Sequence, residues 1–137
     1  MATPAQSSLK GFSALVGATS LAIFLQAVTA GEFVSQDHRE GWIAAHDIVS
    51  NVVAVLALAT MVFTIVRLRT RSRPLLVGTI VLFVLIVMQI VLGYQITDNK
   101  QDWLIGIHVP LALIIFGIAV WLPIAAVSLR RAAAKTA

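Results

Sequence analysis

Four long apolar segments follow one another along the chain, separated by short polar stretches. They run from about residue 11 to 30, 42 to 66, 75 to 96 and 103 to 129, and none contains a lysine or arginine. About 20 mostly apolar residues are enough for a helix to cross the hydrocarbon core of a bilayer. Backbone groups there have no water to bond, so each segment is predicted to be helical, including the third, whose β-branched content would favour a strand in water.

The pattern predicts an all-α integral membrane four-helix bundle formed by residues 1–137 as a single domain. Short connections favour antiparallel packing of neighbouring helices. The longest connection is predicted at 31–41, and the tails, 1–8 and 132–137, are predicted to be disordered. Pro74 is suited to the first turn of the third helix.

Composition and charge placement support this interpretation. Hydrophobic residues make up 59% of the chain and charged residues 12%, with a formal net charge of +4 and a mean hydropathy of +0.94. Eight basic residues lie at one end of the spans: Lys10, Arg67, Arg69, Arg71, Arg73, Arg130, Arg131 and Lys135. All six acidic residues lie at the other end: Glu32, Asp37, Glu40, Asp47, Asp98 and Asp102. The positive-inside rule then predicts that both termini are cytoplasmic, and the basic surface is suited to anionic lipid rather than nucleic acid.

Two further features limit the interpretation. The chain has no cysteine, which excludes disulfides, thiol redox chemistry and thiolate metal sites. Lys10, the apolar run and the Val28-Thr29-Ala30 sequence are also compatible with a secretory signal peptide, although the run is long for one.

The two halves of the chain resemble each other. LQAVTAGEF and GWIAAHDIVSNVVAV in the first half correspond to MQIVLGYQI and DWLIGIHVPLALIIF in the second. Gln26 corresponds to Gln89 and His46 to His108, at an offset of about 62 residues. This repeat predicts two helical hairpins related by a pseudo-two-fold axis along the membrane normal, with the second and fourth helices facing each other.

The repeat places two histidines at equal depth on facing helices, roughly 6–9 Å below the outer boundary. Ionisable residues inside spans usually mark function. The pair His46 and His108 is suited to axial ligation of a haem b in the bundle interior. Gln26 and Gln89 would orient the imidazoles or the propionates as outer partners, and Arg39 would lie near the propionates.

Small residues near the predicted ligands would leave room for a flat macrocycle. Ser50 and Ala112 lie one turn further in than the histidines, and Ala30 and Gly93 lie one turn beyond the glutamines.

Other interpretations remain open. The histidines could be packing residues and the glutamines hydrogen-bonding partners between helices, in which case the protein is a membrane subunit or scaffold without a cofactor. A zinc site from His38, His46, His108 and a carboxylate is conceivable, and Asp47, predicted to pair with Asn51, could serve a proton carrier.

The motifs LQ…AG, AH, Q…LG and IH-x-P resemble those of a family of small, uncharacterised bacterial four-helix membrane proteins, over roughly residues 21–118. More loosely, the chain is similar to one half of haem A synthase, in which each of two bundles carries a histidine pair. The resemblance implies haem ligation by His46 and His108 only. The synthase has a glutamate where this chain has Ile43, and many synthases have a cysteine pair in the outer loop that this chain lacks, so the synthase reaction is not implied.

The sequence therefore predicts a haem b-binding, cytochrome-like protein of the bacterial plasma membrane, handling electrons or haem near the outer face. It leaves open whether the protein is an enzyme. A quinone or another electron-transfer partner is compatible with this prediction, as is a homo-oligomer or a larger membrane complex.

Overall fold

The computed structural model describes residues 4–135, which form four long helices and one short turn. The helices are α1, Pro4–Ser35; α2, Glu40–Arg67; α3, Arg73–Thr97; and α4, Ile105–Lys135. A single 3₁₀ turn, Asp102–Leu104, precedes α4. The prediction of an all-α four-helix fold is confirmed.

The four helices pack as a bundle in which each helix contacts two others and lies diagonally across from the third. Helix α1 packs against α2 and α4, and α3 packs against the same two helices. Among the described residues, α2 and α4 do not pack directly on each other, and neither do α1 and α3. Helices α2 and α4 are therefore diagonal neighbours, so side chains on their inner faces point toward a shared interior.

Each helix is long and apolar enough to cross a membrane. The outer surface carries large apolar side chains, with Leu113 70%, Val55 66% and Ile48 65% exposed. Such a surface is suited to lipid and costly in water. The protein is therefore a multi-pass membrane protein whose apolar exterior contacts the bilayer.

The buried positions of each helix recur at spacings of three and four residues, as expected for one face of a packed helix. They are Leu9, Phe12, Val16, Thr19, Ala22, Ile23 and Thr29 in α1; Val53, Ala57, Thr60 and Thr64 in α2; Leu75, Thr79, Leu82 and Ile86 in α3; and Ile115, Ala119, Leu122 and Ala126 in α4. We call each such line of positions the inner seam of its helix.

Two predictions about the helix ends were wrong. Helices α1 and α4 include residues 4–8 and 132–135, which had been predicted to be disordered; the rest of both tails lies outside the described residues. The connection predicted at 31–41 is shorter, because α1 continues to Ser35 and α2 begins at Glu40. Polar residues outside the hydrocarbon core remain helical there, because nothing in those stretches breaks the helix.

The start of α3 follows from local chemistry, as predicted. The Ser72 side chain accepts a hydrogen bond from the backbone N–H of Leu75 at 3.4 Å and so caps the helix. Pro74 lies in the first turn, where its missing N–H costs nothing.

Buried hydroxyl groups join the helices without leaving polar atoms unpaired. Thr19 on α1 and Thr60 on α2 are 3.0 Å apart between their hydroxyl oxygens. One of the two hydroxyl protons joins the threonines, and the other is donated to a carbonyl four residues earlier on its own helix, Leu15 or Leu56. Hydroxyl groups that bond both ways suit a bundle interior that water does not reach.

Helix α4 continues through Pro123, and α1 compensates for the hydrogen bond that the proline removes. Proline has no N–H, so the carbonyl of Ala119, four residues earlier, loses its helical partner. The Ser20 hydroxyl on α1 donates to this carbonyl at 2.7 Å and shares its proton with the Val16 carbonyl of its own helix at 2.8 Å. A helix defect on α4 is therefore satisfied by a polar side chain on its neighbour.

We predict that Ser20→Ala destabilises the bundle by about 1–2 kcal/mol, because it leaves the Ala119 carbonyl unbonded. In a Pro123→Ala background the restored N–H can bond that carbonyl, so the same substitution should cost less than half as much. Unfolding free energies of the four proteins in mixed micelles measure this coupling. Equal costs in both backgrounds would refute the compensation.

Close packing of α3 on α4 makes a second prediction. A Cβ added at Gly78 would lie 2.8 Å from Cζ3 of Trp121 and 2.9 Å from Cδ2 of Leu122, which is fully buried. Gly78→Ala should therefore destabilise the protein by about 1–3 kcal/mol through overpacking. The matched control is Gly117→Ala on α4, where a Cβ meets no atom within 4 Å and stability should be unchanged or slightly raised. A Gly78→Ala protein as stable as the control would contradict the packing.

Candidate functional site

The four polar residues singled out from the sequence all lie on the inner seams of their helices. His46 continues the line of Val53 and Ala57, seven residues before Val53, and His108 stands at the same spacing before Ile115. Gln26 and Gln89 each lie three residues beyond a buried isoleucine of their own helix. All four are half-buried near the acidic end of the bundle. We call them the polar layer.

The two imidazoles come from diagonal helices, and each lies on the inner seam of its helix. His46 follows the start of α2 at Glu40 by six residues, and His108 follows Asp102 by the same number, which corresponds to a depth of roughly 9 Å. The predicted equal depth on facing helices is therefore compatible with the described geometry.

His46 is held in place from α1. Its Nδ1 atom lies 3.2 Å from the backbone carbonyl oxygen of Gln26 and 3.1 Å from the hydroxyl of Thr29. Phe33 packs its ring edge-on against the imidazole, with 5.2 Å between ring centroids. These three contacts fix both the position and the orientation of the ring.

The hydrogen bonds also decide which nitrogen of His46 is free. A carbonyl oxygen only accepts, so in the neutral imidazole Nδ1 carries the proton. The Thr29 hydroxyl donates to the same Gln26 carbonyl at 2.9 Å, and its oxygen can accept from Nδ1–H. The remaining nitrogen, Nε2, therefore carries a lone pair, which is the form that binds a metal.

His108 is surrounded differently. Its Cε1 atom lies 3.7 Å from the point where a Cβ of Gly93 would stand, an ordinary van der Waals distance, so the imidazole packs against α3 at this glycine. The side-chain amide of Gln89 donates to the backbone carbonyl of His108 at 2.9 Å. Nδ1 of His108 is buried and has no hydrogen-bond partner among the described residues.

The structure thus shows which atoms join the glutamines to the histidines. The Gln26 contact to His46 is made by a backbone carbonyl, and the Gln89 contact reaches the backbone of His108, not its ring. Both glutamine Oε1 atoms are buried and unpartnered in the described part of the chain. With Nδ1 of His108 they make three unsatisfied polar atoms on the inner seams at this end, where each such atom needs an explanation.

The residues predicted to flank the site lie apart from these contacts. Arg39 is exposed at the residue that precedes α2, and His38 is exposed beside it. Lys100 donates to the backbone carbonyl of Thr97 at 2.8 Å. Arg39 therefore lies at the acidic end of the bundle, about two helical turns before His46.

Asp47 and Asn51 lie on the outer surface of α2. The two residues are bonded together, as predicted, and the bond reaches the backbone: the Asn51 amide donates to the backbone carbonyl of Asp47 at 2.9 Å, and the Ser50 hydroxyl donates to the same carbonyl at 2.7 Å. Asp47 is exposed and stands outside the polar layer, so a proton path through the bundle gains no support from it.

The zinc site considered from the sequence is not assembled. Between residues 4 and 135, no group of three or more histidine, aspartate or glutamate side chains lies close enough together to hold a metal ion. A bare zinc ion takes three or four protein ligands, and the polar layer offers two imidazoles.

Sequence reasoning missed Thr29 and Phe33, which orient His46. Their counterparts in the second half are Leu92 and Ile96, so the internal resemblance that pointed to the histidines points away from them. The signal that could have found them is their position, three and seven residues after Gln26 on one face of α1.

Comparison with known proteins identifies no relative of this chain. No protein family, curated protein or solved structure matches this chain. The resemblance to small bacterial four-helix proteins and to haem A synthase therefore stays a prediction.

We predict that, in the metal-free protein at neutral pH, His46 exists as the Nδ1–H form with an unprotonated Nε2. Nitrogen-15 chemical shifts of labelled histidines measure this directly. Solvated His38 serves as the internal reference, because its exposed ring has no such constraint. A dominant Nε2–H form of His46 would contradict the bond to the Gln26 carbonyl.

Proposed function

We propose that this protein is a haem b-binding, cytochrome-like membrane protein with His46 and His108 as the two axial ligands. The observation that carries the proposal is the placement of two imidazoles on the inner seams of diagonal helices, each six residues from the acidic start of its helical segment. A four-helix bundle core is a common position for such a cofactor.

The composition of the site favours a porphyrin over a bare ion. A porphyrin supplies four nitrogens to its iron, so the protein needs to provide only the two axial ligands. The described residues offer two imidazoles and no third histidine or carboxylate within reach. When bound, the haem would supply one-electron redox chemistry.

The chain's own residues have separate roles in this proposal. The Gln26 carbonyl and Thr29 hold the proton on Nδ1 of His46 and so leave the lone pair on Nε2. Gln89 fixes the backbone that carries His108. The unpartnered Oε1 atoms of both glutamines leave acceptor capacity in the same region, and Arg39 would meet propionates at the acidic end.

Two further elements of the proposal concern origin and orientation. The buried positions of α3 follow those of α1, with Phe12, Val16 and Ile23 corresponding to Leu75, Thr79 and Ile86 in the same register as Gln26 and Gln89. This supports, as a proposal, two repeated hairpins about a pseudo-two-fold axis.

The charge asymmetry supports a bacterial plasma-membrane protein whose basic end and both termini are cytoplasmic. The polar layer would then lie near the outer face. There it could exchange electrons with a quinone or with another protein of the membrane.

A second candidate is a helix-bundle subunit without a cofactor. The bonds of His46 to Gln26 and Thr29 favour it, because they join α1 to α2 without any ligand. Interhelical hydrogen bonds of this kind are ordinary packing in membrane bundles.

Absorption spectra of the detergent-purified protein from haem-replete cells separate the two candidates. We expect a Soret band with the features of six-coordinate, low-spin iron. His46→Ala and His108→Ala should each abolish or strongly alter it, whereas the matched control His38→Ala, in the exposed connection, should leave it unchanged.

The subunit candidate predicts the opposite combination. The purified protein would be colourless, and His46→Ala would lower the unfolding free energy by about 1–3 kcal/mol with no spectral change. A colourless wild-type protein that also fails to take up added haem would refute the haem proposal.

A further inference from the structure

A recess of about 430 Å³ opens at the basic end of the bundle, between the start of α1 and the end of α4. It is lined by Lys10, Val127, Arg130, Arg131 and Ala134. Three of its five lining side chains are cationic and the other two are small and apolar. It lies at the opposite end of the helices from the polar layer.

No acidic side chain can neutralise these cations. All six acidic residues lie at the other end of the spans, with Asp102 closest to α4 along the chain. From Asp102 to Arg130 the helix rises roughly 40 Å. That distance is several Debye lengths at physiological ionic strength, so the attraction between the two ends is negligible.

Of the three cations of the recess, Arg130 would be stabilised most by a bound anion. It continues the inner seam of α4, four residues after the fully buried Ala126, and is half-buried. A guanidinium that is partly removed from water is stabilised by a phosphate or carboxylate that accepts several of its N–H groups. Lys10 approaches the same recess from α1.

The depth of the recess points to a lipid as the source of that anion. Arg130 and Lys10 stand where the apolar parts of α4 and α1 end, which is the level of phospholipid headgroups. Exposed apolar side chains of α4, such as Ile124 and Leu129, precede Arg130 by less than two turns and can contact acyl chains. Basic recesses between membrane helices are recognised sites for anionic headgroups.

We propose that this recess binds the phosphate of an anionic phospholipid, with Arg130 and Arg131 as its main contacts and Lys10 as the third cation. The site is separate from the haem proposal. A lipid bound there would join the start of α1 to the end of α4.

Native mass spectrometry of the full chain with added phosphatidylglycerol tests the proposal, with phosphatidylcholine as the neutral lipid. We expect Arg130→Gln/Arg131→Gln to weaken phosphatidylglycerol binding about 30-fold, as loss of two charges at a membrane surface implies. The matched control Arg69→Gln/Arg71→Gln removes the same charge from two exposed side chains between α2 and α3 and should change binding less than about 3-fold.

Three outcomes would overturn the proposal: equal weakening in both variants, equal binding of the neutral and anionic lipids, or displacement of bound lipid by millimolar inorganic phosphate. The last would identify free phosphate as the occupant. Arg130→Lys/Arg131→Lys keeps the charge and serves as the control for misfolding of the glutamine variant. It should retain most of the binding, and loss of binding in this folded variant would also count against the site.

Discussion

A polar atom inside a membrane bundle has to find its partner within the protein, because the surrounding hydrocarbon offers none. Most of this interior obeys that constraint. Thr19 and Thr60 hydrogen-bond to each other, and a helix carbonyl accepts the remaining hydroxyl proton. The Ser20 hydroxyl donates to the Ala119 carbonyl, which lacks its helical partner because of Pro123. The inner seams near the basic half are therefore satisfied, and what remains unsatisfied is concentrated toward the acidic end.

The two imidazoles of the polar layer are held by different contacts. His46 is fixed by a carbonyl, a hydroxyl and an aromatic ring, whereas Nδ1 of His108 and the two glutamine Oε1 atoms have no partner among the described residues. One imidazole is thus oriented by three contacts, and Nδ1 of the other has no partner in the described part of the chain. On the haem proposal the first would set the position of the iron and the second would complete its coordination.

The sequence predicted the four helices well, because long apolar runs leave few alternatives in a membrane, and it placed Gln26 and His46 on the inward faces through the internal resemblance. It missed the helix ends, since polar residues beyond the hydrocarbon core remain helical. It did not specify the atoms through which the glutamines make their contacts. Whether a glutamine bonds through its amide or its backbone depends on rotamers and on how closely the helices approach, and neither follows from residue spacing. Thr29 was missed because the second half of the chain has no equivalent threonine, so the internal resemblance does not indicate it.

The central claim is that residues 46 and 108 meet across the interior. The natural chain has no cysteine, so His46→Cys/His108→Cys creates a single thiol pair that a short bismaleimide can bridge. The account predicts efficient intramolecular cross-linking of this pair in the folded, detergent-solubilised protein, and none for His38→Cys/His108→Cys, whose first site is exposed outside the bundle. Failure to cross-link the first pair, or equal cross-linking of both, would contradict it.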